Sequence, residues 1–330
     1  MGSGPSFPMV PMTRDKIFIV TGANSGLGYE IAKWTSMMGA TVILACRSEG
    51  RTQEAIEKMN KEFQAEKAKG TEGLTDSDSL ALEYMQLDLA SFASVMEFCE
   101  NFQKSGRKLH VLFCNAGLGL GPFQKSSDGN EMLLQVNYLS HFIIIGKLLG
   151  IMKQSGPDCR ILLMSSAAHK SGTFDLKTIN YEGNPDSYPR LNYYGRSKLY
   201  QIMQAAEMGK RLAGSDVTIN SIHPGLIDSN FWRDWNTGLK KVAHGAMQAT
   251  GVAKSPFRGA KCSIDLAVNP KYVGLTGLYW CDSKVVTPNS DARNKGKQEA
   301  LWQWTMEKVK GYLTEEEIRG LQGTGTEQAG

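Results

Sequence analysis

The sequence predicts an α/β protein built as one domain on a doubly wound parallel sheet of about seven strands, with helices on both faces. Two observations predict it. Short apolar runs recur from Lys16 onward, and nearly every run is followed by an amphipathic stretch of helical length. A run apolar at successive residues suits a strand covered on both faces, the condition of a parallel sheet. Strand–helix alternation sustained along a chain folds into a wound sheet with short, right-handed crossovers.

The strand candidates are Ile17–Thr21, Thr41–Cys46, Leu82–Leu87, Leu109–Cys114, Ile161–Ser165, Val217–Ile222 and Gly277–Cys281. Helical segments are expected over Gly26–Met38, Ser91–Lys104, Asp128–Lys153 and Leu191–Leu212. Asp128 with Glu131 has the spacing of a capping box. Gln64–Ser79 is rich in Lys, Gly, Asp and Ser and reads as an exposed insertion. The folded domain is expected over 16–313, between a flexible leader (1–15) and a frayed polar tail (314–330).

Composition narrows the partners. Hydrophobic residues make up 41% and charged ones 21%, enough apolar material for a sizeable core. A net charge of +4 from scattered basic residues describes a solvated surface and argues against nucleic acid. The six cysteines show no CxxC pair, and Cys46 and Cys114 each end an apolar run, as buried thiols do. The five histidines form no HExxH cluster, so no metal site is expected. No uninterrupted apolar run reaches membrane-spanning length, so no transmembrane segment is expected. A cytoplasmic location follows, with peripheral membrane association as the alternative. Gly2 followed by Ser6 fits the loose acylation pattern, as a flexible leader also would.

The first strand runs directly into Thr21-Gly22-Ala23-Asn24-Ser25-Gly26-Leu27-Gly28, and a helix follows. A glycine turn in that place lets the backbone approach a pyrophosphate, while the helix N-terminus offers N–H groups and a positive dipole end. Gly22, Asn24, Ser25, Gly26, Leu27 and Gly28 are therefore candidate dinucleotide contacts. The second strand ends in Arg47-Ser48 where an NAD site usually carries an acid. A guanidinium fork and a hydroxyl suit a 2′-phosphate, which favours NADP(H). Asp88 and Leu89 close the third strand near the expected adenine. Asn115, Ala116 and Gly117 close the fourth, where small residues let the backbone pass beneath a cofactor.

Tyr194 and Lys198 lie four apart on one helix, so they share a face. A neighbouring ammonium, together with the positive charge of an oxidised nicotinamide, favours phenolate and is expected to draw the phenol pKa down towards neutrality. Tyr193 has the wrong offset for that pairing. The fifth strand ends in Ser165-Ser166, where a hydroxyl can orient a substrate carbonyl. Asn137 lies in a helix crossing the same edge, suited to position a water for a proton relay or to bond a helix carbonyl.

With these residues assembled, the chain resembles the short-chain dehydrogenase/reductase superfamily. TGANSGLG, CNAG, SS, YGRSK and HPG occur in that family's order between Lys16 and Ser283. The resemblance implies a Rossmann fold and a catalytic group of Asn137, Ser166, Tyr194 and Lys198, with Ser165 the alternative serine. Lys198 would also contact the ribose. Leu44-Ala45-Cys46-Arg47, Val136–Phe142, His223-Pro224-Gly225 and Asp282–Val286 look like its retinol dehydrogenase branch, which includes the dehydrogenase domain of the WW-domain oxidoreductase. That branch implies NADP(H) and retinoid, steroid or other lipophilic alcohol and carbonyl substrates. It also implies Pro224, Gly225, Ile227 and Ser229 at the nicotinamide end, and homodimers are common in the family. The chain departs from the branch in lacking an apolar N-terminal anchor and WW domains, and in carrying the Gln64–Ser79 insertion.

The segment 226–254 is expected to cover the pocket mouth. Phe231, Trp232 and Trp235 are its substrate candidates, since aromatic side chains suit an apolar ligand. His244 reads as a surface group. Two other functions fit the same residues: a cofactor-binding scaffold working through partners, and a reductase of carbon–carbon double bonds. The intact group at Asn137, Ser166, Tyr194 and Lys198 favours alcohol–carbonyl chemistry.

Overall fold

Apolar runs become strands. In chain order these are β1 (Ile17–Thr21), β2 (Thr41–Cys46), β3 (Leu82–Gln86), β4 (Val111–Cys114), β5 (Cys159–Met164), β6 (Val217–His223), β7 (Tyr279–Cys281) and β8 (Lys284–Val285). They are sealed on both faces at the centre of the sheet in β1, β2, β4 and β5, partly open in β3 and exposed in β8. The computed structural model describes residues 7–227 and 254–323. The strands form one sheet in the order β3-β2-β1-β4-β5-β6-β7-β8, parallel throughout except for the antiparallel β7–β8 pair. Where about seven strands were expected, the described residues form eight, because Asp282 and Ser283 both adopt positive φ and turn the chain back as a short hairpin.

The helices are α1 (Gly26–Met37), α2 (Glu49–Ala68), α3 (Phe92–Lys104), α4 (Met132–Gln154), α5 (Arg190–Arg211), α6 (Pro256–Val268), α7 (Ser290–Arg293), α8 (Lys295–Val309) and α9 (Glu315–Gln322). One core layer joins the sheet to α3, α4, α5 and α8 through Phe102, Phe142, Tyr200 and Trp302. The other joins it to α1, α2 and α6 through Trp34, Met59, Phe63 and Ile264. Chain direction across the sheet reverses between β1 and β4, and such a switch point opens a crevice at the carboxyl ends of the strands.

Several expectations need correction. Residues 7–13 are not a loose leader: Phe7 is buried against Trp34, and Met12 N donates to Met38 O at 2.7 Å. Of the expected insertion, Gln64 to Ala68 complete α2, and the rest is an exposed loop pinned by Thr75 N to Met37 O at 2.7 Å. The tail is ordered as far as Gly323, since Thr314 and Glu317 form a true capping box and Leu321 is fully buried. The box expected at Asp128 does not form. Glu131 caps α4 instead, accepting from Leu133 N at 2.8 Å and Leu134 N at 2.7 Å, while Asp128 accepts from Phe92 N at 2.9 Å.

α4 also changes the membrane reading. Over 23 residues its length and mean hydropathy of 1.4 would suffice to cross a bilayer, although Gln135, Asn137 and His141 interrupt the apolar run. The stretch is 89% buried inside the protein, where a helix apolar on all sides is a core helix.

Candidate active site

At the end of β1, Gly22 has φ 66° and Gly26 φ 59°, a region that only glycine enters without strain. Gly28 lets α1 approach the turn: a Cβ there would run into Gly22 O and lie 2.6 Å from Asn115 Nδ2. The bare N-terminus of α1 therefore faces the crevice. Asn115 Nδ2 donates to Thr21 O at 2.9 Å, and Thr21 Oγ1 accepts from Asn115 N at 3.0 Å and Ala116 N at 2.9 Å. Those bonds lock β4 to β1 beneath the crevice.

Beside the turn lies a cavity of about 370 Å³ lined by Gly22, Asn24, Arg47, Ser48, Arg51 and Asp88, among others. Leu89, Ala116 and Gly117 border it too. Ser25 and Gly26 border an adjoining groove, which shares Asn24 and Arg51 with it. The donor set fits a phosphorylated ribose: two guanidinium groups and a hydroxyl converge, and no carboxylate stands at the end of β2. Arg51 was not singled out from the sequence. The available signal was its place in the first turn of α2, which begins at Glu49 directly after Arg47-Ser48.

α5 carries Tyr194 and Lys198 to a second cavity, of about 350 Å³, reached through Gly117 and Leu118, which border both. Gly195 allows the approach, since a Cβ there would sit 2.5 Å from Ala168 O in the loop after β5. The serine pair separates by hydrogen bonding. Ser165 Oγ donates to Lys198 O at 2.8 Å and is committed to the helix backbone. Ser166 Oγ accepts from Ala168 N at 3.2 Å and is hydrogen-bonded to the Tyr194 phenol. Tyr193 points elsewhere, its hydroxyl donating to Thr178 O at 2.7 Å.

Asn137 sits in a π turn over Gln135–Leu139, a local widening of α4 often found at functional sites. Its Oδ1 accepts from Leu118 N at 2.8 Å, and its Nδ2 donates to Leu118 O at 3.1 Å and Ser197 Oγ at 2.9 Å. The amide thus ties the loop after β4 to the helix of Tyr194. Its own backbone carbonyl accepts from Gln201 Nε2 at 2.8 Å.

The electrostatics differ from the sequence expectation. Burial pushes the Tyr194 phenol up to about 12, and its bond to Ser166 only partly opposes that rise. Burial drives Lys198 down to about 7. Lys198 Nζ lies 5.8 Å from the centre of the Tyr194 ring and donates to Met164 O at 2.7 Å. Without a bound nicotinamide, desolvation dominates both groups, and the lysine by itself does not draw the phenol down.

Residues 16–240 match the family model of short chain dehydrogenases. The chain belongs to the short-chain dehydrogenase family. It is 36% identical over 291 residues to retinol dehydrogenase 14 of Mus musculus, covering 88% of this chain and 85% of that one. It is 34% identical over 297 residues to the WW domain-containing oxidoreductase of Homo sapiens, covering 87% and 66%. Both place it in the retinol dehydrogenase-like branch, as an oxidoreductase. Solved structures share the fold: RhlG of Pseudomonas aeruginosa with NADP (TM-score 0.61, 22% identity, 83% of this chain and 97% of that one) is one. L-sorbose reductase of Gluconobacter frateurii with NADPH and L-sorbose (TM-score 0.64, 18% identity, 85% and 99%) is another.

In this short-chain dehydrogenase, Leu27, Asn115, Ser166, Tyr194, Lys198, Pro224, Gly225 and Ile227 border one cavity. Much of the remaining lining is apolar, from Leu118, Leu120, Ala167, Ala168 and Leu191. None of these five was singled out as a substrate contact from the sequence: Leu118 and Leu120 lie on a loop, Ala167 and Ala168 in a 3-10 turn and Leu191 in the first turn of α5, and no local pattern joins them. Ser229, Phe231, Trp232 and Trp235 lie outside the described residues, as does most of 226–254.

Proposed function

We propose that the protein is an NADP(H)-dependent oxidoreductase interconverting a small lipophilic alcohol and its carbonyl, with Tyr194 as general acid and base. The observation that carries this reading is the Tyr194–Ser166 hydrogen bond inside an apolar cavity that runs on, past Gly117, into the Arg47–Arg51 pocket. A nicotinamide bound in the crevice supplies or takes the hydride. The chain supplies the rest. Gly22, Asn24, Ser25, Gly26 and the turn's open backbone would hold the pyrophosphate, Asp88 and Leu89 the adenine edge, and Arg47, Ser48 and Arg51 a 2′-phosphate. Ser166 Oγ donates to the substrate oxygen and holds it against the phenol. In reduction the Tyr194 proton passes to that oxygen, and in oxidation it returns. Lys198, the nearest group that titrates near neutrality, stands on the same helix face to restore the proton.

The apolar wall selects the substrate class: a retinoid, a steroid or a related lipophile buries its hydrocarbon on Leu118, Leu120 and Leu191. NADPH oxidation measured against retinal, a steroid ketone and small aldehydes tests the reading. Turnover of the larger carbonyls is expected, and it should vanish in Tyr194→Phe while NADPH still binds. Full activity in that variant would sink the mechanism.

A further inference from the structure

Two histidines outside the catalytic group face the same peptide bond. Ser166 O accepts from His169 Nδ1 at 2.8 Å and from His169 N at 3.1 Å. On the other side of that peptide, Ala167 N donates to His223 Nδ1 at 3.3 Å. The Ser166–Ala167 peptide unit is thus held at its carbonyl by one imidazole and at its N–H by the other.

The hydrogen bonds also dictate both tautomers. His169 Nε2 accepts from Asn289 N at 3.3 Å, so a neutral ring must carry its proton on Nδ1, where it serves Ser166 O. His223 Nδ1 accepts from both Ala167 N and Gly225 N, the latter at 3.2 Å, so its proton is on Nε2. Burial drives both imidazoles down, His223 to about 4, which keeps them neutral near pH 7. His169 is in turn fixed by Asn289 Nδ2, which donates to its carbonyl at 3.1 Å, and by Tyr279, whose ring lies edge-on at 5.1 Å and whose hydroxyl, 3.3 Å from Nδ1, accepts from that N–H beside Ser166 O.

We infer that His223 and His169 are positioning residues that grip the Ser166–Ala167 peptide from its two sides and so aim the Ser166 hydroxyl at Tyr194 and the substrate oxygen. The inference rests on the proposed function for the role of Ser166. It adds that strand β6 and the segment before α7 reach back to set the serine's geometry. Without the grip the loop after β5 keeps its fold, but the hydroxyl loses its direction.

Two measurements test it. In the wild-type protein without cofactor, long-range nitrogen–proton NMR of the imidazoles is expected to show the Nδ1–H tautomer for His169 and the Nε2–H tautomer for His223. A charged or opposite form of either overturns the grip. With NADPH and retinal, His223→Ala is expected to lower kcat by about tenfold to a hundredfold with KM little changed, the scale of a misplaced reacting group. His223→Asn offers an amide oxygen at the position of Nδ1 and is expected to recover most of the loss. An unchanged kcat in His223→Ala, or an equal loss in His223→Asn, overturns the inference. Tyr194→Phe run alongside separates the two ideas: activity there defeats the proposed function, while the tautomers still decide the grip.

Discussion

Lys198 Nζ donates to the carbonyl of Met164, the last residue of β5, at 2.7 Å. A buried ammonium thus has a neutral oxygen as its partner in the described structure, and this is why desolvation drives it down to about 7. Between that midpoint and the ordinary lysine value of 10.5, the unfolded chain holds the proton and the folded chain does not. Stability therefore rises with pH across that window. Thermal midpoints of the cofactor-free protein are expected to climb between about pH 7 and about pH 9, with a shallower slope in Lys198→Met. Equal slopes would contradict the buried, discharged lysine.

Gly117 separates Asn137 from Lys198. A Cβ at that position would lie 3.0 Å from Asn137 Oδ1 and 3.3 Å from Lys198 Nζ. Gly117→Ala should displace both and lower kcat by about tenfold or more, with a modest change in thermal midpoint. Steady-state kinetics beside a melting curve would check it, and an unaffected kcat would count against the role given to this corner.

Cofactor choice is expected to follow the guanidinium groups. Arg47→Asp should raise KM for NADPH by about tenfold to a hundredfold and favour NADH, as loss of a charge-assisted hydrogen bond does. Arg51→Ala should weaken NADPH in the same direction without helping NADH. If Arg51→Ala leaves the NADPH affinity untouched in a fluorescence titration, Arg51 lines the pocket without contacting phosphate.

The C-terminal helix belongs to the core. Leu321 is fully buried and, with Leu313, would crowd any Cβ at Gly146 of α4, while Lys147 pairs with Glu317 at 2.9 Å. Leu321→Ala is expected to cost about 2–5 kcal/mol in denaturant unfolding. A change within error would restore the frayed tail expected from composition.

The tail and the leader show why composition misleads at chain ends. Thr314 to Gln322 is polar and charged on most positions, yet single residues such as Leu321 dock it, and Phe7 does the same at the other end. Asp128 and Glu131 had the spacing of a capping box. Their roles were decided by neighbours far along the chain, Phe92 N for Asp128 and the Tyr188 hydroxyl for Glu131 at 2.7 Å. Arg51 had a local signal, its place in the first turn of the helix after β2; His169 and Leu118 had none, because Asn289 of a distant segment engages the His169 ring and the Asn137 amide engages the Leu118 backbone.

Order along the chain was enough to predict seven of the eight described strands, the glycine turn, the arginine that follows β2 and the Tyr194–Lys198 face. These depend on periodicity and on short-range geometry, which the backbone enforces within a few residues. Packing settled what lies between distant segments. Ser165 gives its hydroxyl to Lys198 O, 33 residues away, and so leaves Ser166 as the partner of Tyr194. Burial, a property of the assembled core, pushes the phenol up to about 12 and the lysine down to about 7 before any cofactor is bound, which spacing along the chain does not reveal.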